Sequence, residues 1–497
     1  MDTEPTHCLD GHSLGLTSIV EIADGVSVKA DARSLDDMRA TNGLILRAIA
    51  QGQAVYGVTT GLGPKVTERL SPEELAAFSL STIRGRAHAV GPPLLKRVVR
   101  AAMAIRLNTL LTGVTGASPQ VAEHLASCLN ADLVPHIGET TSTGPADLMW
   151  GGSMGLALIG EGRFLGMPKD QVSSVALAAA EIAPLRLGPR DGLALVSHCG
   201  FSSAFAALGL SDAKSSFGWA QTAAALTLEG FRANLSPFRA DVLSLRSQPG
   251  AGDAAADILA KLEGSGLMRP GAARRLQDPL SLRNIPQVHG SVLAALNVLE
   301  DVVALEINGA PDSPVVLPGT EEIVSSGNFL NPYLSVALIG MNQALVQMAA
   351  QIAARISRML AHRFTDLPSG LNNEAAGNAG LGPLTKVSEA LFAEIAHLAT
   401  PPVVYPSPSA DGVEDTINFA ALSGRALIEV SGRLRTLLAI ELIVAAHAIY
   451  LRGHVDDIAP PLRQTLSLVL EACPILEADR PISTQIEDLA QQMSSRV

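Results

Sequence analysis

The chain has 497 residues, 47% of them hydrophobic and 17% charged, a composition that supports a large folded core and excludes a disordered chain. Its net charge of −12 comes without a basic block, which argues against nucleic acid as a partner. Four cysteines (Cys8, Cys128, Cys199, Cys473) stand far apart with no CxxC pair, a pattern that points to a reducing compartment and away from a disulfide framework or structural zinc.

Taken in chain order, the acidic, polar start "MDTEPTHCLDGHSLG" is not a signal peptide, so a cytoplasmic protein is expected. "SIVEIADG", just after it, is one of few extended candidates. Helical spacing then runs through 97–112, 170–186, 201–229, 288–308, 341–360 and 425–451, many of these segments Ala-rich. In 345–360 the apolar Leu345, Met348, Ala349, Ile352, Ile356 and Met359 recur at three and four, one face of a long helix. The apolar run "LLAIELIVAAHAIYL" (437–451) carries Glu441 and His447 and reads as a buried helix, too short and too polar to span a bilayer. Gly/Pro-rich breaks fall at 57–64, 138–146, 247–252, 309–319, 368–382 and 401–412. The expected fold is all-α, with an N-terminal, mostly helical domain over 1–200 and a long-helix bundle with C-terminal helices over 201–497.

Four polar islands interrupt this pattern. "YGVTTGLG" (56–63) sets Tyr56 in a Gly-rich loop, either as a packed turn residue or as a phenol available for proton transfer. "QDPLSLRNIPQVHG" (277–290) holds Arg283, which can clamp a carboxylate through two parallel hydrogen bonds, or cap a helix or pair with an acid. "SSGNFLNPY" (325–333) offers Asn328 and Phe329 to a pocket. "SADGVEDTIN" (409–418) offers Glu414, although a helix start with acids in its first turn explains "DGVED" nearly as well. His136, His198 and His289 are dispersed, so no metal site is expected.

Together these islands resemble the aromatic amino acid ammonia-lyases, the family of histidine, phenylalanine and tyrosine ammonia-lyases and related aminomutases. "VYGVTTGLG", "RAAMAIRLNTLLTGVTG" (100–116), "DGLALVSHCG" (191–200), "QDPLSLRNIPQVHG", "INGAPDSPVV", "SSGNFLNP" and "SADGVED" follow in the family's order, from roughly residue 12 to 455. The resemblance implies a histidine ammonia-lyase-like (fumarase/aspartase-like) long helical bundle and a homotetramer, with active sites built from several subunits. It implies that Tyr56 is the catalytic base, Glu414 an acidic site residue and Arg283 the substrate-carboxylate clamp with Gln277 nearby. Phe329 becomes a pocket aromatic beside Asn328, and Leu62, Arg86, His88, Ser197 and Leu280 shape the substrate pocket.

One stretch departs from the family. There an Ala-Ser-Gly triad followed by Asp-Leu cyclises into a methylidene-imidazolone, the electrophile that captures the substrate amine. In "ETTSTGPADLMWGG" (139–152), anchoring on Asp147-Leu148 puts Gly144-Pro145-Ala146 at the triad, and Pro145 has no hydroxyl to eliminate. Anchoring on "VPHIG" instead puts Ser142-Thr143-Gly144 there, where Thr143 can dehydrate in principle. Ser197 replaces the Asn that supports the electrophile, Leu280 replaces a second tyrosine, and Thr59 replaces the Asn of the tyrosine loop. The losses cluster around the electrophile.

The expectation is a lyase without cofactor, acting by elimination, or the reverse addition or cyclisation, on a small carboxylate substrate with a good leaving group. Trimethylamine elimination from a histidine-related betaine is one candidate. Gly144 and the backbone N–H groups that follow it are expected to face the pocket at a helix start and to stabilise developing negative charge. The alternatives are an ordinary imidazolone-dependent ammonia-lyase or aminomutase using Ser142-Thr143-Gly144, and an inactive homologue that binds a ligand or partners an active subunit.

Overall fold

The structure is a computed structural model that describes residues 5–494 apart from 142–143, 373–376 and 407–408. It is mostly helical; among the described residues the strands are six and short, in three two-stranded pairs. The chain divides into two compact units. The first comprises Met1–Leu208, Glu300–Val336 and Pro402–Arg425; the second comprises Gly209–Leu299, Ala337–Pro401 and Ala426–Val497. Residues 300–336 and 402–425 therefore belong with the N-terminal segment, a return of the chain that a single cut at residue 200 does not describe.

The long helices Gly200–Phe231, Ile285–Asn308, Pro332–Met359 and Ala420–Leu451 fall where the three-and-four spacing places them. Two local expectations need correction. "SIVEIADG" is not extended: Leu16–Ala23 is a helix, because Ile19, Ile22 and Ala23 form one buried face against the Lys96–Leu110 helix. The tertiary face overrides the β-branched composition. The 170–186 pattern yields only the short helix Ser174–Ala179, which stops before Pro184.

In the first unit the Lys96–Leu110 helix is buried from Val98 to Leu110, including Arg100, Arg106 and Asn108. Arg106 makes a bidentate pair with Asp312 (Nη1–Oδ2 3.0 Å, Nη2–Oδ1 2.9 Å), and Arg190 adds a second guanidinium at 3.3 Å. This fully buried pairing ties three distant segments together, and removing one member leaves an uncompensated charge.

In the second unit Glu441, in the run 437–451, accepts two bonds from Arg355 at 2.6 and 3.0 Å and one from Thr227 at 2.9 Å. That pairing explains how an apolar helix tolerates a buried acid. The run is part of a 32-residue helix, so its length does not exclude a span as the 15-residue reading suggested. By length and composition, four helical stretches among the described residues are long and apolar enough to cross a membrane, and the apolar 18-residue windows of Asp191–Phe231 and Ala420–Leu451 are 94% and 78% buried inside the fold. Cys8 is exposed on the strand Thr6–Leu9, and Cys128, Cys199 and Cys473 are buried free thiols.

Candidate active site

The site is a cavity of about 350 Å³ in the first unit, and it gathers Tyr56, Leu62, Arg86, Pro145, Ser197, Phe329 and Glu414. The Tyr56 loop is a turn closed on Val55, whose carbonyl accepts from the N–H groups of Val58 and Thr59 at 3.1 and 2.9 Å. Val55 and Val58 bury themselves with Ile45, Ala48 and Val316, which fixes the loop's back and leaves Tyr56 to the cavity. Thr59, in place of the family's Asn, is a structural clasp: its hydroxyl donates to the Gln53 carbonyl and accepts from the Val55 N–H, both at 2.7 Å. Gly57 has φ +63°, a conformation that favours glycine, and a Cβ there would lie 2.4 Å from Leu193 Cδ2, so that leucine would have to shift. The Gly63 N–H donates to Tyr56 Oη at 3.3 Å.

Arg86 follows the helix Pro72–Arg84, which begins at a capping box of Ser71 and Glu74. A Cβ on Gly152 would come within 2.6 Å of the Arg86 carbonyl, so this glycine lets the helix Leu148–Leu158 press against the Arg86 backbone. Burial lowers the Arg86 guanidinium's pKa, while the charges of Glu414 and Tyr56 oppose that shift. Burial raises the Glu414 carboxyl, and Arg86 opposes it. Tyr56, Arg86 and Glu414 thus form one electrostatic group. An Arg with an acid and a phenol can hold a proton-accepting site and attract a cationic substrate group.

Around the departing stretch, Pro145 and Leu148 line this cavity, whereas Gly144, Ala146 and Asp147 line a separate one. Ser142 and Thr143 lie outside the described residues. Gly144 has φ +133° and Ala146 φ +60°. The Ala146 N–H donates to the Phe329 carbonyl at 2.9 Å and the Asp147 N–H to the His198 carbonyl at 2.8 Å. These two donors are committed, which corrects the expectation that the backbone N–H groups following Gly144 face the substrate pocket. The helix Leu148–Leu158 has no side-chain cap; Asp147 instead accepts from the N–H groups of Phe201 and Ser202, at the start of Gly200–Phe231, and from the Ser202 hydroxyl.

Ser197 ends the short helix Asp191–Val196 and lines the cavity beside Leu193. His88 and Asn328 are exposed and do not line it, and the Asn328 amide donates to the Ala310 carbonyl at 3.3 Å. Gln277, Leu280 and Arg283 belong to the second unit, so this cavity does not contain them. Gln277 and Leu280 are exposed, and among the described residues no hydrogen-bond or ion-pair partner holds the Arg283 guanidinium.

Several residues here carry no local signal. Ser313, Asp415 and Thr416 line the cavity. Burial raises the Asp147 carboxyl to about 6 and that of Glu306 to about 7, the latter helped by the Asp147 charge. Asp147 sits in the "ADL" anchor, but Glu306 lies inside an apolar helix where only its burial makes it conspicuous.

The sequence matches the aromatic amino acid lyase family over residues 14–471. It is 34% identical over 498 residues to histidine ammonia-lyase of Anaeromyxobacter sp. (strain K), with 97% of each chain covered. It is 31% identical over 482 residues to that of Geobacillus thermodenitrificans (strain NG80-2), covering 96% and 95%. The fold superposes on ergothionase from Treponema denticola, an ergothioneine-degrading enzyme solved with desmethyl-ergothioneine sulfonic acid, with TM-score 0.92, 27% identity and 99% of both chains covered. The chain belongs to the aromatic amino acid lyase family and has its all-α fold.

Proposed function

We propose that this lyase eliminates a good leaving group from a small, carboxylate-bearing, amino-acid-like substrate without an imidazolone electrophile. The observation that carries the reading is Pro145: it lines the cavity with Tyr56 and Glu414, and it has no hydroxyl to lose. Ammonia is a poor leaving group, whereas a trimethylammonium leaves without covalent activation. Ergothionase, with its TM-score of 0.92, supports a betaine of the histidine type as substrate.

In the proposed step the Tyr56 phenolate takes a proton from the carbon next to the one bearing the amine. The C–H electron pair becomes the carbon–carbon double bond, and the amine departs with the C–N pair. Arg86 supplies counter-charge to the phenolate, and Glu414 attracts the cationic group. Arg283 is the proposed carboxylate clamp. The proposed assembly is the family's homotetramer, in the cytoplasm.

The histidine ammonia-lyase relatives support a second reading, ammonia elimination through an imidazolone built from Ser142-Thr143-Gly144. Mass spectrometry separates the two. The first requires intact and peptide masses that match the encoded sequence, with no inactivation by borohydride and trimethylamine release from a histidine betaine. A 139–152 peptide lighter by two waters, with ammonia released from histidine, overturns it in favour of the second.

A further inference from the structure

A separate cavity of the first unit, of about 470 Å³, lies between the helix Leu148–Leu158, the strand pair Val90–Pro93 and Gly138–Thr140, and the loop 161–172. It adjoins the candidate active site along the chain, since Ala87 on its wall follows Arg86 in the turn after Pro72–Arg84. Its titratable lining is His136, Arg163 and Lys169 with Glu161 and Asp170. Glu161 is already engaged by Arg84, in a bidentate pair at 2.8 and 2.6 Å. Among the described residues neither Arg163 nor Lys169 has a carboxylate partner.

The backbone holds these cations together. Pro135 bridges Phe164 in antiparallel fashion, the His136 N–H donates to the Arg163 carbonyl at 2.9 Å, and the Leu165 N–H donates to the Val134 carbonyl at 2.8 Å. Phe164 is buried and anchors the loop. His136 and Arg163 are therefore cross-strand neighbours, with Nδ1 and Nη2 3.4 Å apart. The neutral His136 ring accepts from Arg163; protonating it would set two cations side by side, which an anion joining them would relieve. Burial lowers the His136 imidazole's pKa, and the Arg163 and Lys169 charges lower it further, as expected of a positive potential in this cavity.

We propose that this cavity binds the phosphoryl group of a small anion, with Arg163 and Lys169 as charged donors and His136 as a third, proton-dependent one. Free phosphate and a phosphate monoester share the chemistry.

Calorimetric titration of the full chain with inorganic phosphate, and separately with glycerol phosphate, tests it. Saturable binding of one anion per chain is expected, weakened at least tenfold in Arg163→Gln/Lys169→Gln and weaker as pH rises. The His136 ring resonances should titrate at higher pH when phosphate is present. Tighter binding of glycerol phosphate identifies an ester as the occupant, and equal or weaker binding identifies the free ion. No saturable binding of either anion, or binding unchanged in the double variant, overturns the proposal. The variant gives up one side-chain hydrogen bond, Arg163 to His136, and no ion pair, so it is expected to fold, which circular dichroism checks.

Discussion

The backbone N–H of Ala146 donates to the carbonyl oxygen of Phe329 at 2.9 Å, joining the divergent turn to the loop that carries the pocket aromatic. Holding that bond puts Ala146 at φ +60°, left-handed backbone that favours glycine, and Gly144 at φ +133°. Ala146→Gly is expected to leave the melting temperature unchanged or raise it. Gly144→Ala should lower stability by roughly 1–3 kcal/mol, the usual cost of such strain. Thermal unfolding of the two variants checks the contrast.

Tyr56→Phe should reduce turnover by about 10²–10⁴-fold, the usual contribution of a positioned acid or base. Its melting temperature should move little, because among the described residues the hydroxyl's hydrogen bond is the 3.3 Å one it accepts from the Gly63 N–H. Turnover within a few-fold of the unsubstituted enzyme would remove Tyr56 from the mechanism.

Arg283→Lys should weaken substrate binding by about 1.5–3 kcal/mol, the range for hydrogen bonds to charged groups. Since no partner holds the guanidinium among the described residues, thermal stability should be unaffected. A direct binding measurement reads the first quantity and a melting curve the second. Unchanged binding returns Arg283 to a surface role.

Glu306 links stability to pH. Its folded carboxyl titrates at about 7 against an ordinary 4.5, chiefly through burial. A raised pKa means that the folded state retains the proton. Its contribution is therefore complete below about pH 4.5 and is lost as pH rises through 7. Glu306→Gln, which cannot ionise, should gain stability relative to the unsubstituted protein between pH 5 and pH 8, by up to roughly 3 kcal/mol. Melting temperatures of both proteins at the two pH values show whether the gap opens in that direction.

Long helices leave apolar side chains uncovered: Val298 and Leu305 on Ile285–Asn308 are 47% and 65% exposed, and Val336 on Pro332–Met359 is 66% exposed. A homotetramer would cover such a surface. Light scattering should return about four times the 51.6 kDa chain mass. A monomer at micromolar concentration would contradict the proposed assembly.

The long helices were legible because their apolar spacing is a local property; 201–229 and 425–451 sit within Gly200–Phe231 and Ala420–Leu451. Tyr56, Phe329 and Glu414 were legible because loop chemistry in a fixed order marks them, and the cavity gathers all three. Pairings between remote segments were not. Asp147 serves Phe201 and Ser202, more than fifty residues downstream, and Arg106 meets Asp312 across two hundred. No window of sequence contains both partners. The orientation of the turn was illegible for the same reason: the carbonyls of Phe329 and His198 take the N–H groups that local reading assigned to the pocket.

The distribution of thiols gives the protein a chemical handle. Burial raises the Cys128 thiol to about 12 and pushes Cys199 and Cys473 upward as well, so all three stay protonated and shielded at neutral pH. Cys8, on the exposed strand Thr6–Leu9, is the thiol open to solvent. Maleimide reagents therefore have one address per folded chain. A dye or spin label can be placed there without engineered cysteines, and among the cysteines oxidation should begin at that same sulfur.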